Sequence, residues 1–271
     1  MPHSIVVPTA ATVVRRALTA VAVVREVTES FSQCVTRRPP VPPLDPGLAR
    51  RQHAAYRAAL EDGGFSLRAV AGDEAHPDGC FVEDAAVVIG DVALIANSGH
   101  QSRRGEAGPV AAALGGLVEI EHMEEGTLDG GDVLQVGTTV FVGVGGRTDA
   151  VGASRLGEVC RRTGRSMVAV PTGPPLHLKS GVTALDEQTV LWHPSTGHRH
   201  AFAGLRTVEV PGDDPEAANV VRLADGRVLC AASHPATADL VASLGYGVVT
   251  CDVSEFERAD GGLTCLSIRI R

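Results

Sequence analysis

Five stretches of the chain repeat one pattern of polar and apolar positions. Each stretch has a polar residue just before an apolar segment, and in the first four a tight turn and a second apolar segment follow. Short apolar runs that flank Gly, Asp or Thr pairs predict β-hairpins. The five stretches are FVEDAAVVIGDVALIA, TLDGGDVLQVGTTVFVGV, HLKSGVTALDEQTVLWH, EAANVVRLADGRVLCAA and GGLTCLSIRI.

The polar residues at the segment starts recur at a nearly constant spacing. They are Asp84, Asp129, His177, Asn219 and Cys265, separated by 45, 48, 42 and 46 residues. Segments with a polar start and a glycine end follow the first, second and fourth hairpins, which is typical of helices. A unit of two strands, a helix and a third strand cannot bury its sheet alone. Several such units packed around one axis can do so.

This repeat predicts an α/β propeller of five pseudosymmetric ββαβ-type units around a central cleft. An all-β propeller has a similar period, but the helical segments argue against it. The equivalent polar residues should face the axis, so Asp129, His177 and Cys265 should converge on the cleft. Cys with His is a nucleophile with its proton partner, and an acid can orient the imidazole or hold a cationic substrate. Asn219 is expected to be structural and to bond a neighbouring strand.

Composition narrows the class of protein. The chain has 271 residues, 44% of them hydrophobic, and a net charge of −8, which does not suggest a nucleic-acid surface. The six cysteines form no CxxC pair and no zinc-ligand spacing, so we expect free thiols in the cytoplasm and no metal. An apolar run at 17–24 is too short to span a membrane. We therefore predict an N-terminal extension at 1–33, outside the core, and one catalytic domain at 34–271.

Longer motifs add a family resemblance. DGCFVEDAAVV, SRRGE, TLDGGDVL, GRTDAVGA, PLHLKSG, EAANVV and DGGLTCLSI occur in this order, and the match runs from about Arg37 to Arg271. These motifs resemble those of the dimethylarginine dimethylaminohydrolases, which belong to the guanidino-group-modifying superfamily with the pentein fold. The pentein fold is a fivefold pseudosymmetric α/β propeller, in agreement with the repeat.

The resemblance implies roles for individual residues. Cys265 matches the nucleophile, His177 the proton donor, and Asp129 the third catalytic acid. Asp78, Glu83 and Asp84 match residues that bind the amino and guanidino ends of the substrate. Arg103 and Arg147 match the pair that binds the α-carboxylate, and Ala259 matches a position whose backbone contacts the ligand.

The same division follows from the chemistry of a guanidino amino acid. A guanidinium is a planar cation that pairs with carboxylates, and an α-carboxylate pairs with arginine forks. The chain supplies acids and arginines on different repeats. The expected activity is hydrolysis of dimethylarginine to citrulline and a methylamine, through a covalent thiouronium on cysteine and without a cofactor. The expected ligand is a small guanidino amino acid, and the protein is a possible homodimer.

Three alternatives remain open. An arginine deiminase of the same fold would release ammonia, and an amidinotransferase would pass the amidino group to another amine. A non-enzymatic relative is the third, because a ribosome anti-association factor shares the fivefold fold. Such a binding module would not need Cys265, His177 and two acids together.

One segment departs from the family pattern. RRPPVPPLDPGLARRQHAAY is proline-rich and shorter than the corresponding segment of typical relatives, where it forms a mobile lid with a leucine over the substrate. No leucine here can be matched to that position. We therefore expect a more open cleft, a higher KM than in lidded relatives, and tolerance for methylated and unmethylated guanidines.

Overall fold

A computed structural model describes residues 20–172 and 176–271 of the protein. Within these ranges fifteen strands form five sheets of three strands each. The strands are β1 (Val21–Arg25), β2 (Ser66–Val70), β3 (Ala86–Ile89), β4 (Val92–Ile95), β5 (Glu119–His122), β6 (Val133–Val136), β7 (Thr139–Val144), β8 (Ser166–Pro171), β9 (Val182–Ala184), β10 (Thr189–Trp192), β11 (Arg206–Glu209), β12 (Val221–Arg222), β13 (Val228–Ala231), β14 (Val248–Cys251) and β15 (Ile268–Ile270). The helices are α1 (Pro46–Asp62), α2 (Ala107–Leu114), α3 (Ala150–Arg162), α4 (Pro235–Ser243) and α5 (Ser254–Glu257).

Every sheet has the same plan. Its first two strands pair antiparallel and its third strand runs parallel to the second; in the first sheet, for example, Ala86 pairs with Ile95 and Val92 pairs with Glu119. A parallel pair needs a crossover connection, which is usually a helix. Helices α2, α3 and α4 supply it in three of the sheets, and short 3₁₀ turns do so between β10 and β11. The predicted ββαβ repeat and the pentein architecture are confirmed.

The fifth sheet is assembled from both ends of the chain. Its order is β15, β1, β2, with Val23 opposite Ile268 across the antiparallel pair. Strand β1 runs parallel to β2, and α1 makes the crossover between them. The described part of the apolar run is thus a central strand, buried on both faces, which explains why it lacks polar alternation.

The expected domain boundary therefore lies too late in the chain. Residues 21–25 form the centre of the fifth sheet, and Phe31 is completely buried against Phe256, with 5.4 Å between the ring centroids. Residues 20–33 belong to the folded domain and not to an extension. The expectation for residues 1–19 lies outside the described residues.

A short 3₁₀ turn precedes the first strand of each repeat and brings its polar residue to the axis. Each of the first three turns contacts the next one in chain order, and the first also contacts the fifth. The turns are Val82–Ala85, Gly130–Asp132, Leu178–Ser180, Pro215–Ala218 and Leu263–Leu266. In the part of the chain that the structure describes, no helix has the length and apolar character needed to cross a bilayer.

Candidate active site

Asp129 and His177 form a buried pair between the second and third repeats. The Nε2 of His177 lies 3.1 Å from Oδ2 of Asp129, and Asp129 has no solvent-exposed surface. The other oxygen, Oδ1, accepts hydrogen bonds from the Ser98 hydroxyl and the Gly99 amide, both at 3.0 Å. Because both oxygens are engaged, Asp129 is held in one orientation and can fix the imidazole in turn.

The glycine pair of the TLDGGDV motif makes this approach possible. A Cβ at Gly131 would lie 2.7 Å from the ring of His177 and 2.9 Å from Oδ1 of Asp84. The amide of Gly131 also donates to that Asp84 oxygen at 2.8 Å. Only glycine therefore lets the backbone pass between the imidazole and the carboxylate.

The acids around His177 keep its ring protonated. Burial lowers the pKa of His177, but the charge of Asp84 and the hydrogen bond to Asp129 outweigh burial and raise this pKa to about 9. Burial opposes ionisation of Asp84 as well, yet the charges of His177 and Arg103 hold the pKa of Asp84 well below its usual range. At neutral pH the site thus contains an imidazolium beside the ionised Asp84.

Cys265 lies in the turn of the fifth repeat and is partly exposed to the same cavity. The amide of Gly262 donates to its Sγ at 3.4 Å. Burial, followed by the negative charges of Glu83 and Asp84, raises the pKa of the thiol to about 12. Without a bound cation Cys265 is therefore a neutral thiol.

Arg103 is buried and surrounded by carboxylates. Its Nη1 donates to Oδ2 of Asp84 at 2.5 Å, and Nε and Nη2 donate to Glu106 at 3.0 and 2.8 Å. Nη2 also donates to the carbonyl of Phe81 at 2.9 Å. The positive charge of Arg103 offsets the charges of the buried acids, and its guanidinium donors are already hydrogen-bonded in the absence of a ligand.

Arg147 is placed differently. Its Nη1 lies 3.7 Å from Oδ2 of Asp129, and this buried atom has no hydrogen-bond partner among the described residues. The side chain is 19% exposed and lines the cavity beside His177. Its guanidinium therefore has donors left for an external carboxylate.

The remaining predicted residues divide into two groups. Asp78 and Ala259 are buried and line the cavity; the carboxylate of Asp78 accepts the Val35 amide at 3.2 Å, and burial raises its pKa. Glu83 is not among the described residues that line this cavity. It pairs instead with Lys179 at 2.6 Å and with Arg269 at 3.4 Å. The structure therefore does not bring Glu83 to the position expected for a substrate contact.

The cavity around Cys265 is narrow, with a volume of about 30 Å³. Its described lining consists of Val35, Asp78, Phe81, Asp84, Arg103, Arg147, Leu176, His177, Ala259, Asp260, Gly261 and Cys265. This volume has room for water only, so an amino acid must displace part of the lining on entry. That this cleft is more open than the clefts of typical relatives stays a prediction.

Polar contacts attach the proline-rich segment to Arg258 and to Asp260, which lines the cavity. The Nε of Arg37 donates to Asp260 at 2.9 Å, its amide bonds to the same carboxylate, and Arg258 donates to the carbonyl of Pro42. Asp260 has a φ of 58°, a conformation that is uncommon for a residue with a side chain. Sequence reasoning missed Asp260, although the turn residues ADGG before the nucleophile were a signal.

Two other residues support the site. Asn219 accepts a hydrogen bond from the Thr264 amide at 3.0 Å and donates to the Lys179 carbonyl at 3.0 Å, so it joins the turn that contains Cys265 to the third repeat, as predicted. Glu106 was missed, although its place three residues after Arg103 in SRRGE is typical of a helical ion pair.

Asp84, Asp129 and His177 also have the spacing of a metal site, with ligand atoms within 4.8 Å of one another. The Asp129–His177 hydrogen bond and the Asp84–Arg103 ion pair already engage these three side chains. The arrangement is therefore complete as an acid–base pair with its counter-ion.

Five ββαβ units around a cavity that holds a cysteine, a histidine and a carboxylate define a guanidino-modifying hydrolase of the pentein fold. A family model for arginine deiminase matches residues 115–201. The N(G),N(G)-dimethylarginine dimethylaminohydrolase of Streptomyces coelicolor is 45% identical over 231 residues, which are 84% of this chain and 88% of that protein. The chain therefore belongs to the dimethylarginine dimethylaminohydrolase family.

The Pseudomonas aeruginosa enzyme of the same name is 32% identical over 83% of this chain and 89% of that protein. A solved structure of that enzyme, as a cysteine-to-serine variant complexed with citrulline, has a TM-score of 0.87 and 29% identity, and covers 92% of this chain and 98% of that chain. The N-terminal domain of a cyanobacterial arginine dihydrolase has a TM-score of 0.83 at 17% identity and shares the fold.

Proposed function

We infer that this protein hydrolyses Nω-methylated arginine to citrulline and a methylamine through a covalent intermediate on Cys265. One observation carries the residue assignment: Cys265, His177, two acids and an arginine with free donors line the same cavity. His177 is in turn held by the buried Asp129. The membership of the family supplies the substrate class, a small guanidino amino acid.

The charges of the cavity match the two ends of such a substrate. Asp84 offers a carboxylate to the guanidinium, and Asp78 offers one to the α-amino group. Arg147 has the free donors that an α-carboxylate needs, whereas Arg103 is engaged by Asp84 and Glu106. We therefore assign the α-carboxylate first to Arg147. Arg103 joins it if substrate entry rearranges the Asp84 contact.

The bound cation activates the nucleophile. Burial and the charges of Glu83 and Asp84 keep the thiol of Cys265 protonated, and a guanidinium placed among these carboxylates offsets their charge. A nearby positive charge lowers a thiol pKa and raises the thiolate fraction. Reactivity at Cys265 is thus coupled to the presence of substrate.

The chemistry then proceeds in two balanced halves. The thiolate attacks the guanidinium carbon, and His177 gives its proton to the departing nitrogen, so that the C–N bond breaks and the amine leaves. The carbon remains bonded to Sγ as a thiouronium. Neutral His177 next takes a proton from water, the resulting hydroxide attacks the same carbon, and the C–S bond breaks to return the thiolate. The product's hydroxyl proton passes to the released amine, so citrulline leaves as a neutral ureido group.

An arginine deiminase activity is the second candidate, favoured by the family model that matches residues 115–201. The two reactions share every step except the identity of the leaving amine. Asymmetric dimethylarginine, monomethylarginine, arginine and agmatine should be offered separately, with measurement of ureido product and released amine. We expect dimethylamine and citrulline from the first compound. Turnover of arginine alone would overturn the assignment to methylated substrates.

The same panel tests the predicted tolerance for unmethylated guanidines and the predicted high KM. The possible homodimer and the cytoplasmic location also stay predictions. All six cysteines are free, which supports a reducing compartment.

A further inference from the structure

A second, larger cavity lies at the opposite end of the propeller axis. We call it the rear cavity; its volume is about 340 Å³. The first strands of all five repeats, β3, β6, β9, β12 and β15, contribute to its wall. The turns before these strands carry the catalytic residues, so the two cavities occupy the two ends of the same strands.

Cationic side chains dominate the charge of the rear cavity. They are Arg165, Lys179, Arg222, Arg269 and Arg271. Lys179 and Arg269 share the carboxylate of Glu83. In the described ranges, 20–172 and 176–271, the other three arginines have no carboxylate within 4.0 Å.

The donors of these three arginines are only partly used. Arg165 donates from Nη1 to the Gly137 carbonyl at 3.1 Å, and its buried Nε has no partner in the described chain. Arg271 donates to the Arg222 carbonyl, and its guanidinium lies 5.6 Å from the centre of the Phe65 ring. A guanidinium has five N–H donors, so most of this capacity remains available to a ligand.

The acids at the rear cavity do not neutralise this cluster. Asp186 accepts the Tyr246 hydroxyl and the amides of Gln188 and Thr189. Glu187 also lines the cavity but forms no ion pair in the part of the chain described. Partial burial and the charges of Arg269 and Arg222 lower the pKa of Arg271 to about 10, as expected for positive charges gathered without a counter-ion.

We propose that the rear cavity binds a small multivalent oxyanion, either a phosphorylated or a polycarboxylate metabolite. Arginine forks match the planar oxygen pairs of phosphate and carboxylate, and three of them converge here from three different repeats. The volume lies in the range of small-molecule sites, and the concave shape favours a small ligand over a macromolecule. The proposal is independent of the activity at Cys265.

Calorimetric titration of the full chain tests this site, with pyrophosphate and tricarballylate as probes and sodium chloride maintaining constant ionic strength. We expect saturable binding of at least one probe to one site. R222Q and R271Q should each weaken it about tenfold, the effect of one charge-assisted hydrogen bond. R161Q removes the same charge from an exposed position on α3 and should leave the affinity unchanged. Binding by the Cys265→Ser variant should equal that of the parent.

Three results would overturn the proposal. One is the absence of saturable binding for both probes, and another is equal weakening by R161Q and R222Q, which would indicate nonspecific charge. The third is a dimer that R222Q dissociates and that binds neither probe, since the rear cavity would then be an interface between two copies. Melting temperatures of all variants show whether a loss of binding reflects a loss of fold.

Discussion

Cys265 and His177 face one cavity and both lie near the charge of Asp84, yet the consequences differ. For His177, Asp84 and the hydrogen bond to Asp129 outweigh burial and raise the pKa to about 9, which keeps the imidazolium ready to donate a proton. For Cys265, burial and the charges of Glu83 and Asp84 raise the pKa to about 12, which keeps the thiol neutral and weakly nucleophilic. In the ligand-free site the proton donor for departure of the amine is therefore ready, whereas the thiolate needed for the initial attack is not.

The difference lies in which partner each group touches. His177 bonds directly to Asp129, whose other oxygen is fixed by Ser98 and Gly99. Cys265 has only the Gly262 amide, and the Lys179 ammonium near it is already paired with Glu83. A substrate cation supplies the positive charge that Cys265 lacks, so we expect the thiolate to form only when a guanidinium is bound.

The largest effect is expected from Cys265→Ser. A neutral hydroxyl at this position is a far weaker nucleophile than a thiolate, so turnover of dimethylarginine should fall by more than ~10⁴-fold. Ligand binding and melting temperature should change little. Cys160→Ser, in the core of α3 and away from the cavity, is the matched control and should retain activity. Near-parental turnover by the Cys265 variant would remove the nucleophile from this account.

His177→Gly should separate attack from departure of the amine. Loss of the proton donor should lower turnover by ~10²–10⁴-fold, because amine release and water activation both need proton transfer. With a substrate analogue that carries a better leaving group, intact-protein mass spectrometry should detect an adduct on Cys265. If the variant turned over dimethylarginine normally, the proton would come from another residue.

Arg147→Ala tests which end of the substrate this side chain binds. Removal of one partner of a buried ion pair costs ~2 kcal/mol or more, so KM for amino acid substrates should rise at least about 30-fold while kcat changes less. Arg147→Lys should restore part of the affinity as a point charge. Agmatine lacks the carboxylate, and its kinetics should be insensitive to the substitution. An equal loss for agmatine would assign Arg147 to the chemistry instead.

The smallest effect is expected from Asn219→Ala. The variant loses the bonds to the Thr264 amide and the Lys179 carbonyl, so the free energy of unfolding should fall by ~1–3 kcal/mol. Activity should fall only several-fold at temperatures where the protein is folded. Urea denaturation measures the first and steady-state kinetics the second. Unchanged stability together with a large loss of kcat would show a direct catalytic role.

Periodicity made most of the fold predictable, because each polar residue precedes a strand that must face the axis. The prediction of the fifth sheet included only its first strand, because the second and third strands come from the other end of the chain. The second strand is buried on both faces, so it lacks the alternation of polar and apolar residues that marks a strand in the sequence. The Asp129–His177 pair followed from spacing. The position of Glu83 was not predictable from the sequence, because its ion pairs with Lys179 and Arg269 depend on tertiary packing.

Titration of the Cys265 thiol tests the central claim most directly. The ultraviolet absorbance of the thiolate should be followed with pH for the parent protein, with the Cys265→Ser variant subtracted. In the absence of substrate we expect no thiolate below about pH 10, since burial and two carboxylates oppose ionisation. Glu83→Gln should lower the apparent pKa. A thiolate that forms at or below the ordinary cysteine value of about 8.5 would contradict activation by the bound cation.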